Sequence, residues 1–245
     1  MKRREFLKAA SAASAAGVVA PAVWSPARSQ SRQETLLIIS ESGPNNIDIH
    51  GVGTNVPGYE VAWNCYDRLI SHEMKTVNGT PYYDKDKFKP ELAEDMNIGD
   101  MSATFKLKKN ATFHDGTPVT AMDVKWSLDR AVSVGGFPTF QMGAGSLTKP
   151  EQFVVVDNHT VRVDFLKKDR LTIPDLAVVV PCIFNSGLMK KNATEKDPWA
   201  LDYAKQNTAG GGAYRVVSWT PGTEVVFERN DKWVGGALPK IKRII

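Results

Sequence analysis

Residues 103–132, ATFKLKKNATFHDGTPVTAMDVKWSLDRAV, carry the three local signals that decide the fold: a strand, a turn and a helix. Phe105 and Leu107 alternate with polar residues, which predicts a strand with one buried face. Asp115 and Gly116 favour a turn, because the Asp side chain can bond to nearby backbone and glycine, which lacks a side chain, accepts positive φ. The chain is therefore expected to leave a strand, turn a corner and enter a helix.

The helix is predicted to begin after Thr120. A threonine can cap a helix N-terminus, and Asp123, three positions later, can close a variant of the capping box. The apolar residues that follow recur at helical spacing and form one face of an amphipathic helix: Val124, Leu128, Ala131 and Val132.

His114, beside Asp115, raises the question of a catalytic or metal-binding pair. The other histidines, His50, His72 and His159, each stand alone, without the close spacing typical of zinc sites. The sequence contains no nucleophile elbow, P-loop or dinucleotide-binding glycine fingerprint. We therefore predict that His114 belongs to the corner, and we assign no catalytic residue, no metal ligand and no cofactor.

Two hairpins follow the helix. QFVVVDNHTVRVDFL (152–166) alternates apolar and polar residues around Asp157-Asn158, and GAYRVVSWTPGTEVVFERN (212–230) carries Pro221-Gly222 for a type II turn. Hairpins mixed with helices, rather than strict βαβ alternation, predict a mixed α/β (α+β) architecture.

The region before residue 103 is predicted from shorter patterns. ETLLIIS (34–40) is typical of a buried strand, and the Gly, Pro and Asn residues after it form a loop. Apolar spacing in YEVAWNCYDRLI (59–70) predicts a helix, with Trp63 and Tyr66 assigned to its packing. An Asn-Gly turn follows at 78–79. The piece LAED (92–95) is expected to be a short helix.

Residues 1–29 form an export signal. They begin with a basic head, continue through an apolar Ala- and Ser-rich stretch, and end in a plausible cleavage site, Ala27-x-Ser29. Arg3-Arg4 before Phe6-Leu7-Lys8 resembles the twin-arginine signal, which predicts an interaction with the twin-arginine export machinery. A membrane-spanning anchor fits less well, because the run is short and Pro21 and Pro26 interrupt it.

The charge of the chain follows from that signal. Residues 1–29 hold five basic side chains and one acidic one, a net charge of +4. This equals the formal net charge of all 245 residues. The remaining residues sum to zero, so nucleic acid is not predicted as a partner. An exported chain without a lipidated cysteine at the cleavage site points to the periplasm.

The two cysteines, Cys65 and Cys182, lie far apart in the sequence. Export permits a disulfide, but spacing alone cannot pair them. We expect two small buried side chains.

Two long stretches resemble the family 5 extracellular solute-binding proteins, the receptors of dipeptide, oligopeptide and nickel-type ABC importers. The first runs over residues 90–132, from LAE through FKLKK to FHDGTPVTAMDV. The second, residues 207–245, is similar to the family's GTGPY segment, hairpin and RN-x-x-W close, although Ala213 stands where proline is usual. The resemblance covers essentially all of residues 34–245.

This resemblance implies a two-lobed periplasmic-binding-protein fold (type II-like, cluster C). Residues 30–245 are similar to its N-terminal half, with lobe I at about 30–52 and 176–245 and a smaller inserted domain at 53–175. Lobe II is expected to be missing, which makes the chain a fragment of a longer reading frame. The implied function is capture of a peptide or similar small solute in the periplasm and delivery to the permease subunits of an ABC transporter in the inner membrane.

Position within the family pattern suggests two groups of ligand-binding residues. The loop after the first strand supplies Ser42, Gly43, Pro44, Asn45 and Asn46, although the two asparagines could instead only shape the turn. The segment 135–145, which we interpret as a loop, supplies Phe137, Phe140 and Gln141. Phe137 and Phe140, with Met142, form either an apolar wall of the site or a buried cluster under the loop.

Two other functions remain open from the sequence. An exported hydrolase or cofactor enzyme would use the same twin-arginine route, but the motifs for such chemistry are missing from the sequence. A nickel or metal-chelate receptor would share the fold, and four unclustered histidines give it little support.

Overall fold

The computed structural model describes residues 34–245, and the export signal predicted over residues 1–29 lies outside them. Residues 34–245 form ten strands: β1 (Thr35–Leu36), β2 (Ile70–Val77), β3 (Thr80–Pro90), β4 (Ala93–Ile98), β5 (Ser102–Leu107), β6 (Phe153–Asp157), β7 (Thr160–Asp164), β8 (Tyr214–Thr220), β9 (Glu224–Arg229) and β10 (Arg243–Ile244). The same residues form six α-helices: α1 (Val56–Cys65), α2 (Ala121–Ser133), α3 (Gly136–Ala144), α4 (Thr172–Ala177), α5 (Ser186–Lys191) and α6 (Leu201–Ala204).

The strands form three sheets. One has the order β1-β10-β9-β8, in which β1 and β10 are parallel and the other pairs antiparallel. A second is the two-stranded hairpin β2-β3, and the third is antiparallel with the order β4-β5-β7-β6. The mixed α/β class predicted from the hairpins is confirmed.

The predicted turns are also confirmed. Asn78 and Gly79 both have positive φ, as the two-residue turn between β2 and β3 requires. Gly222 has a φ of 75°, and the backbone N–H of Thr223 donates to Thr220 O at 2.9 Å, which closes the turn between β8 and β9.

The corner and helix of residues 111–133 form as predicted. The Asp123 carboxylate accepts hydrogen bonds from the Thr120 backbone N–H at 2.9 Å and from the Thr120 hydroxyl at 2.7 Å. Thr120 is thus the N-cap of α2. The predicted face of α2 is buried, and it packs on β6 and β7.

One continuous core joins the helices to the sheets. Its largest fully buried side chains include Phe105, Phe153, Phe184, Ile47, Ile49, Leu69, Leu128 and Met142. Each such side chain stabilises the fold by about 1.5–3 kcal/mol relative to exposure.

Three local predictions are wrong. LAED does not form a helix: residues 93–98 are β4, because Ala93 is fully buried and pairs with Leu107 of β5. α1 ends at Cys65, since Tyr66 is extended, so Leu69 is buried beyond the helix rather than within it. Residues 136–144 form α3 instead of a loop.

The first predicted strand is only partly formed. It is paired with β10 at Thr35 and Leu36, and the Ile38 backbone N–H still donates to Ile245 O at 2.8 Å. The side chains of Leu37, Ile38 and Ile39 are 65%, 57% and 90% exposed. The expected burial is absent because no other described element covers them.

Candidate functional site

The loop between β1 and α1, residues 41–55, is held by a reciprocal pair of hydrogen bonds between Asn45 and Asn55. The backbone N–H of each residue donates to the side-chain oxygen of the other, both at 3.2 Å. The side-chain amides then donate to Gly53 O and Gly43 O, at 2.8 and 2.9 Å. Since Asn55 is also the N-cap of α1, the loop is fixed to the start of that helix.

Asn46 supports the same loop from below. It is buried, and its side-chain oxygen accepts a hydrogen bond from the Asp48 backbone N–H at 3.0 Å. The hydroxyl of Thr54 also lies 3.0 Å from that oxygen. A Cβ at position 51 would come within 2.9 Å of the same atom, so Gly51 permits this close packing.

A buried ion pair anchors the loop to α2. Arg130 donates through both terminal nitrogens to the carboxylate of Asp48, at 2.9 and 2.7 Å, and neither side chain is more than 1% exposed. The Arg130 Nε–H donates to Trp199 O at 3.0 Å, and the guanidinium lies 4.9 Å from the ring centroid of Phe184. Charges buried this deeply persist only when paired and hydrogen-bonded, as these are.

His50 lies next to this pair and is also buried. Its Nε2 is 2.7 Å from Val180 O. Burial, and secondarily the charge of Arg130, lower the pKa of His50 to about 4. The ring is therefore neutral at pH 7, and its Nε2–H donates to the carbonyl, which ties the loop to the segment before α5.

Two surface hollows flank the loop, and Trp219 lines both. The first, the polar hollow, has a volume of about 540 Å³ and is formed by Asn45, Ile47, residues of the segment 203–208 and β8. The second, the apolar hollow, has a volume of about 460 Å³ and is formed by residues 37–44, one face of α1, and β9 with Ile244. Both volumes fall in the range of small-molecule sites.

The loop residues predicted as ligand contacts divide between the two hollows. Ser42, Gly43 and Pro44 line the apolar hollow, and Asn45 lines the polar hollow. Asn46 lines neither, because its side chain is turned into the loop. Both asparagines therefore shape the loop, whatever else they contact.

The second predicted group lies on α3, away from both hollows. The ring of Phe137 packs edge-on against Tyr59 of α1, with 5.9 Å between centroids, and Phe140 is 76% exposed. Gln141 Nε2 donates to Asp175 Oδ1 at 2.7 Å, whereas Met142 is fully buried. Of the three apolar residues considered for a buried cluster under residues 135–145, only Met142 is thus buried.

His114 occupies a structural position. Its Nε2 lies 3.0 Å from Gly212 O, and its backbone N–H donates to Gly210 O at 2.9 Å. Burial lowers the pKa of His114. The corner found in the first sequence stretch thus binds the glycine segment of the second.

That glycine segment packs directly on the end of α1. A Cβ at Gly210 would lie 1.9 Å from Cys65 O, and one at Gly212 would lie 2.6 Å from the Cys65 carbonyl carbon. The RN-x-x-W motif that ends the second stretch is held in place as well, because Trp233 Nε1 donates to the buried carboxyl group of Asp67 at 2.7 Å. The motifs of the two stretches therefore pack against each other, and we call the contact of Gly210 and Gly212 with His114 and Cys65 the glycine seam.

Several of these positions escaped sequence reasoning. Asp48 and Arg130 are 82 residues apart and carry no motif. The position of Arg130 could have indicated a buried charge, because Arg130 lies on the same buried face of α2 as Ser127 and Ala131. Trp219, at the tip of its hairpin, was counted only as a strand residue.

The cysteines, the possible metal ligands and the helix lengths also bear on the predictions. Cys65 and Cys182 are both buried free thiols, as expected. Within residues 34–245, no group of three or more His, Cys, Asp or Glu side chains is placed to hold a metal ion. None of the helices described here is long and apolar enough to cross a membrane.

Two of the sequence relatives are named as periplasmic binding proteins. The chain is 29% identical over 214 residues to the probable D,D-dipeptide-binding periplasmic protein DdpA of Escherichia coli, covering 86% of this chain and 39% of the relative. It is 26% identical over 262 residues to the periplasmic oligopeptide-binding protein OppA of Salmonella typhimurium, covering 97% and 42%. The chain thus spans about 40% of the length of these relatives.

Solved structures give the same fold. The PBP AgaA of A. tumefaciens R10, in complex with agropinic acid, matches with a TM-score of 0.69 at 25% identity, covering 86% of this chain and 38% of that one. Listeria monocytogenes OppA bound to peptide matches with a TM-score of 0.67 at 21% identity, covering 87% and 42%. The expected periplasmic-binding-protein fold is confirmed for the part that this chain represents.

The family model for the bacterial extracellular solute-binding proteins, family 5 Middle, matches residues 87–245, which include the corner, the glycine segment and the Trp233 close. By this match, the chain belongs to the family 5 bacterial extracellular solute-binding proteins.

Proposed function

We propose that this chain is part of the ligand-capturing component of an ABC importer, which binds a peptide or a similar small solute in the periplasm and delivers it to the permease subunits. The observation that carries the proposal is the family match over residues 87–245. The relatives' names add the substrate class, since DdpA is a probable D,D-dipeptide-binding protein and OppA an oligopeptide-binding protein.

Within this function, the loop residues Ser42 to Asn46 form one side of the ligand site. The position of the loop supports this role, because the Asn45–Asn55 pair and the Asp48–Arg130 ion pair hold it between two hollows. A preorganised loop loses little conformational entropy when a ligand binds, which favours affinity.

Phe137, Phe140 and Gln141 form a second contact region on α3. Phe140 presents an exposed aromatic ring, and Phe137 extends that surface onto Tyr59. An exposed aromatic pair can pack against the side chain of a bound peptide. Gln141 fixes the helix through Asp175.

We propose the same domain boundaries as the family resemblance implies, with lobe I at 30–52 and 176–245 and the small domain at 53–175. The sheet β1-β10-β9-β8 is built only from the outer ranges, and the other two sheets lie within 53–175. This partition of the sheets supports the boundaries.

We further propose that residues 1–29 direct export through the twin-arginine machinery and that the protein acts in the periplasm. Replacing Arg3 and Arg4 together with lysine keeps the charge and should leave the full chain in the cytoplasmic fraction. Secretion of that variant at the wild-type level would show that another route carries it.

Calorimetric titration of the chain with D-Ala-D-Ala, L-Ala-L-Ala and tetra-alanine tests the function. At least one is expected to bind with Kd below about 100 μM, equivalent to more than about 5 kcal/mol. Mass spectrometry should recover the peptide intact. Cleavage of the peptide would favour the exported hydrolase, and binding of a nickel chelate but no peptide would favour a metal-chelate receptor.

A further inference from the structure

We propose that the polar hollow is a carboxylate-binding site, which holds the terminal carboxylate of the captured solute with Lys205 as its cation. This inference rests on the proposed function and adds to it where an acidic end of the ligand would be bound.

The shape of the hollow comes from two independent tethers. The backbone N–H of Ile47 donates to Lys205 O at 3.1 Å, which fixes the segment 203–208 against the loop. Asn207 Nδ2 donates to Tyr203 O at 2.9 Å, which closes that segment on itself. β8 supplies the opposite wall through Val216, Ser218 and Trp219.

The charge of the lining is one-sided. Among residues 34–245, Lys205 is the only Lys, Arg, Asp or Glu that lines the polar hollow. It makes no ion pair within 4.0 Å among residues 34–245. The apolar hollow has the opposite charge, because Glu41, Glu60 and Glu224 line it and no Lys or Arg of the described part of the chain does. A carboxylate is therefore attracted to the polar hollow and repelled from its neighbour.

Hydrogen-bond donors accompany this cation. Gln206, Thr208 and Ser218 are among the residues that line the hollow, and their side chains make no hydrogen bond within the described part of the chain. A lysine and three residues with neutral donor groups around one concavity suit a carboxylate, whose two oxygens accept several hydrogen bonds. Trp219 gives the rest of the solute a flat apolar surface to contact.

The test compares each peptide with its C-terminal amide. The two ligands differ only at the terminus, where the neutral amide carries an NH2 group in place of one carboxylate oxygen. We expect L-Ala-L-Ala or D-Ala-D-Ala to bind the chain at least about tenfold more tightly than the amide, a difference of about 1.4 kcal/mol. Lys205→Gln should reduce that ratio to below about threefold, whereas Lys196→Gln, an exposed lysine elsewhere, should keep it. Succinate serves as the arm that distinguishes a small organic acid from a peptide terminus.

A local readout separates this site from binding elsewhere. The backbone amide resonances of Thr208 and Ser218 should shift with the free acid and stay in place with the amide. Equal affinity for acid and amide, or an acid preference that survives Lys205→Gln, would overturn the carboxylate site while leaving peptide capture intact. Absence of binding by every peptide and by succinate would instead reject the proposed function, and this inference with it.

Discussion

The guanidinium of Arg130 and the carboxylate of Asp48 form a two-point ion pair that is fully enclosed by the protein, at 2.9 and 2.7 Å. Asp48 lies in the loop that begins the candidate site, and Arg130 lies near the end of α2. The pair therefore fixes the loop to the same helix that the FHDGTPVT corner starts.

Removing one member of this pair should be costly. Asp48→Asn or Arg130→Met would leave a buried group without its charged partner, and we expect each to lower the free energy of unfolding by about 3–5 kcal/mol. Urea unfolding followed by circular dichroism measures the change. Arg162 and Asp164 form a similar two-point pair, at 2.6 and 3.0 Å, but are about 40% exposed. Arg162→Met should cost less than about 1 kcal/mol, and an equal cost at both pairs would contradict the role of burial.

The glycine seam should reject even one methyl group. In Gly210→Ala, the new Cβ would lie 1.9 Å from Cys65 O, so the backbone must move, and we expect a loss of about 3 kcal/mol. Gly143→Ala is the matched control: it lies inside α3, and its nearest neighbour would be 3.8 Å away. Because alanine favours helix, that variant should be neutral or more stable by up to about 1 kcal/mol. A Gly210→Ala protein of wild-type stability would show that the seam is looser than described.

Asp67 should make stability depend on pH. Burial raises the pKa of its carboxyl to about 7, although the hydrogen bond from Trp233 lowers it in part. The folded-state pKa is thus above that of the unfolded chain, near 4, so ionisation of Asp67 destabilises the fold progressively as pH rises from about 4 to about 7.

Asp67→Asn isolates this contribution from the other titrating groups. Its stability relative to wild type should increase between pH 5 and pH 8, by an amount on the order of 2 kcal/mol. Glu195→Gln, an exposed carboxylate without a described partner, should show no such trend. Parallel stability profiles for Asp67→Asn and wild type would rule out the buried ionisation.

Two neighbours on α3 should separate stability from binding. Met142→Ala removes a fully buried side chain and should cost about 2–5 kcal/mol of unfolding free energy. Phe140→Ser alters a ring that is 76% exposed and should change stability by less than about 0.5 kcal/mol. If α3 contacts the ligand as proposed, Phe140→Ser should nevertheless weaken peptide binding in the calorimetric titration. Unchanged affinity would remove Phe140 from the site.

The sequence predicted those parts of the fold that depend on neighbouring residues. The Thr120 cap, the Asn78-Gly79 turn and the Pro221-Gly222 turn are each set by interactions within a few positions. LAED was misassigned because pairing with β5 and burial of Ala93 override local helix propensity. Residues 135–145 were interpreted as a loop from their position in the family pattern, yet Gly135 and Gly136, both with positive φ, are the entry to α3, whose Pro138 is tolerated in the first turn.

The site was less accessible to sequence reasoning. The roles of Asp48, Arg130 and Trp219 depend on partners that are distant in the chain, and no local pattern identifies them. Asn45 and Asn46 were recognised as polar loop residues, but the hydrogen bond from Asn46 Nδ2 to Asn45 Oδ1 and the reciprocal pair between Asn45 and Asn55 appear only in three dimensions.

The exposed aliphatic segment Leu37, Ile38 and Ile39 has a practical consequence for ligand screening. Environment-sensitive dyes fluoresce when they meet exposed hydrocarbon, which normally signals an unfolded protein. Here the native state already offers such a surface, so a dye-based melt should begin from a high signal and compress the apparent transition. Intrinsic tryptophan emission avoids this background, and since Trp219 lines both hollows, it should also respond to a ligand bound as proposed.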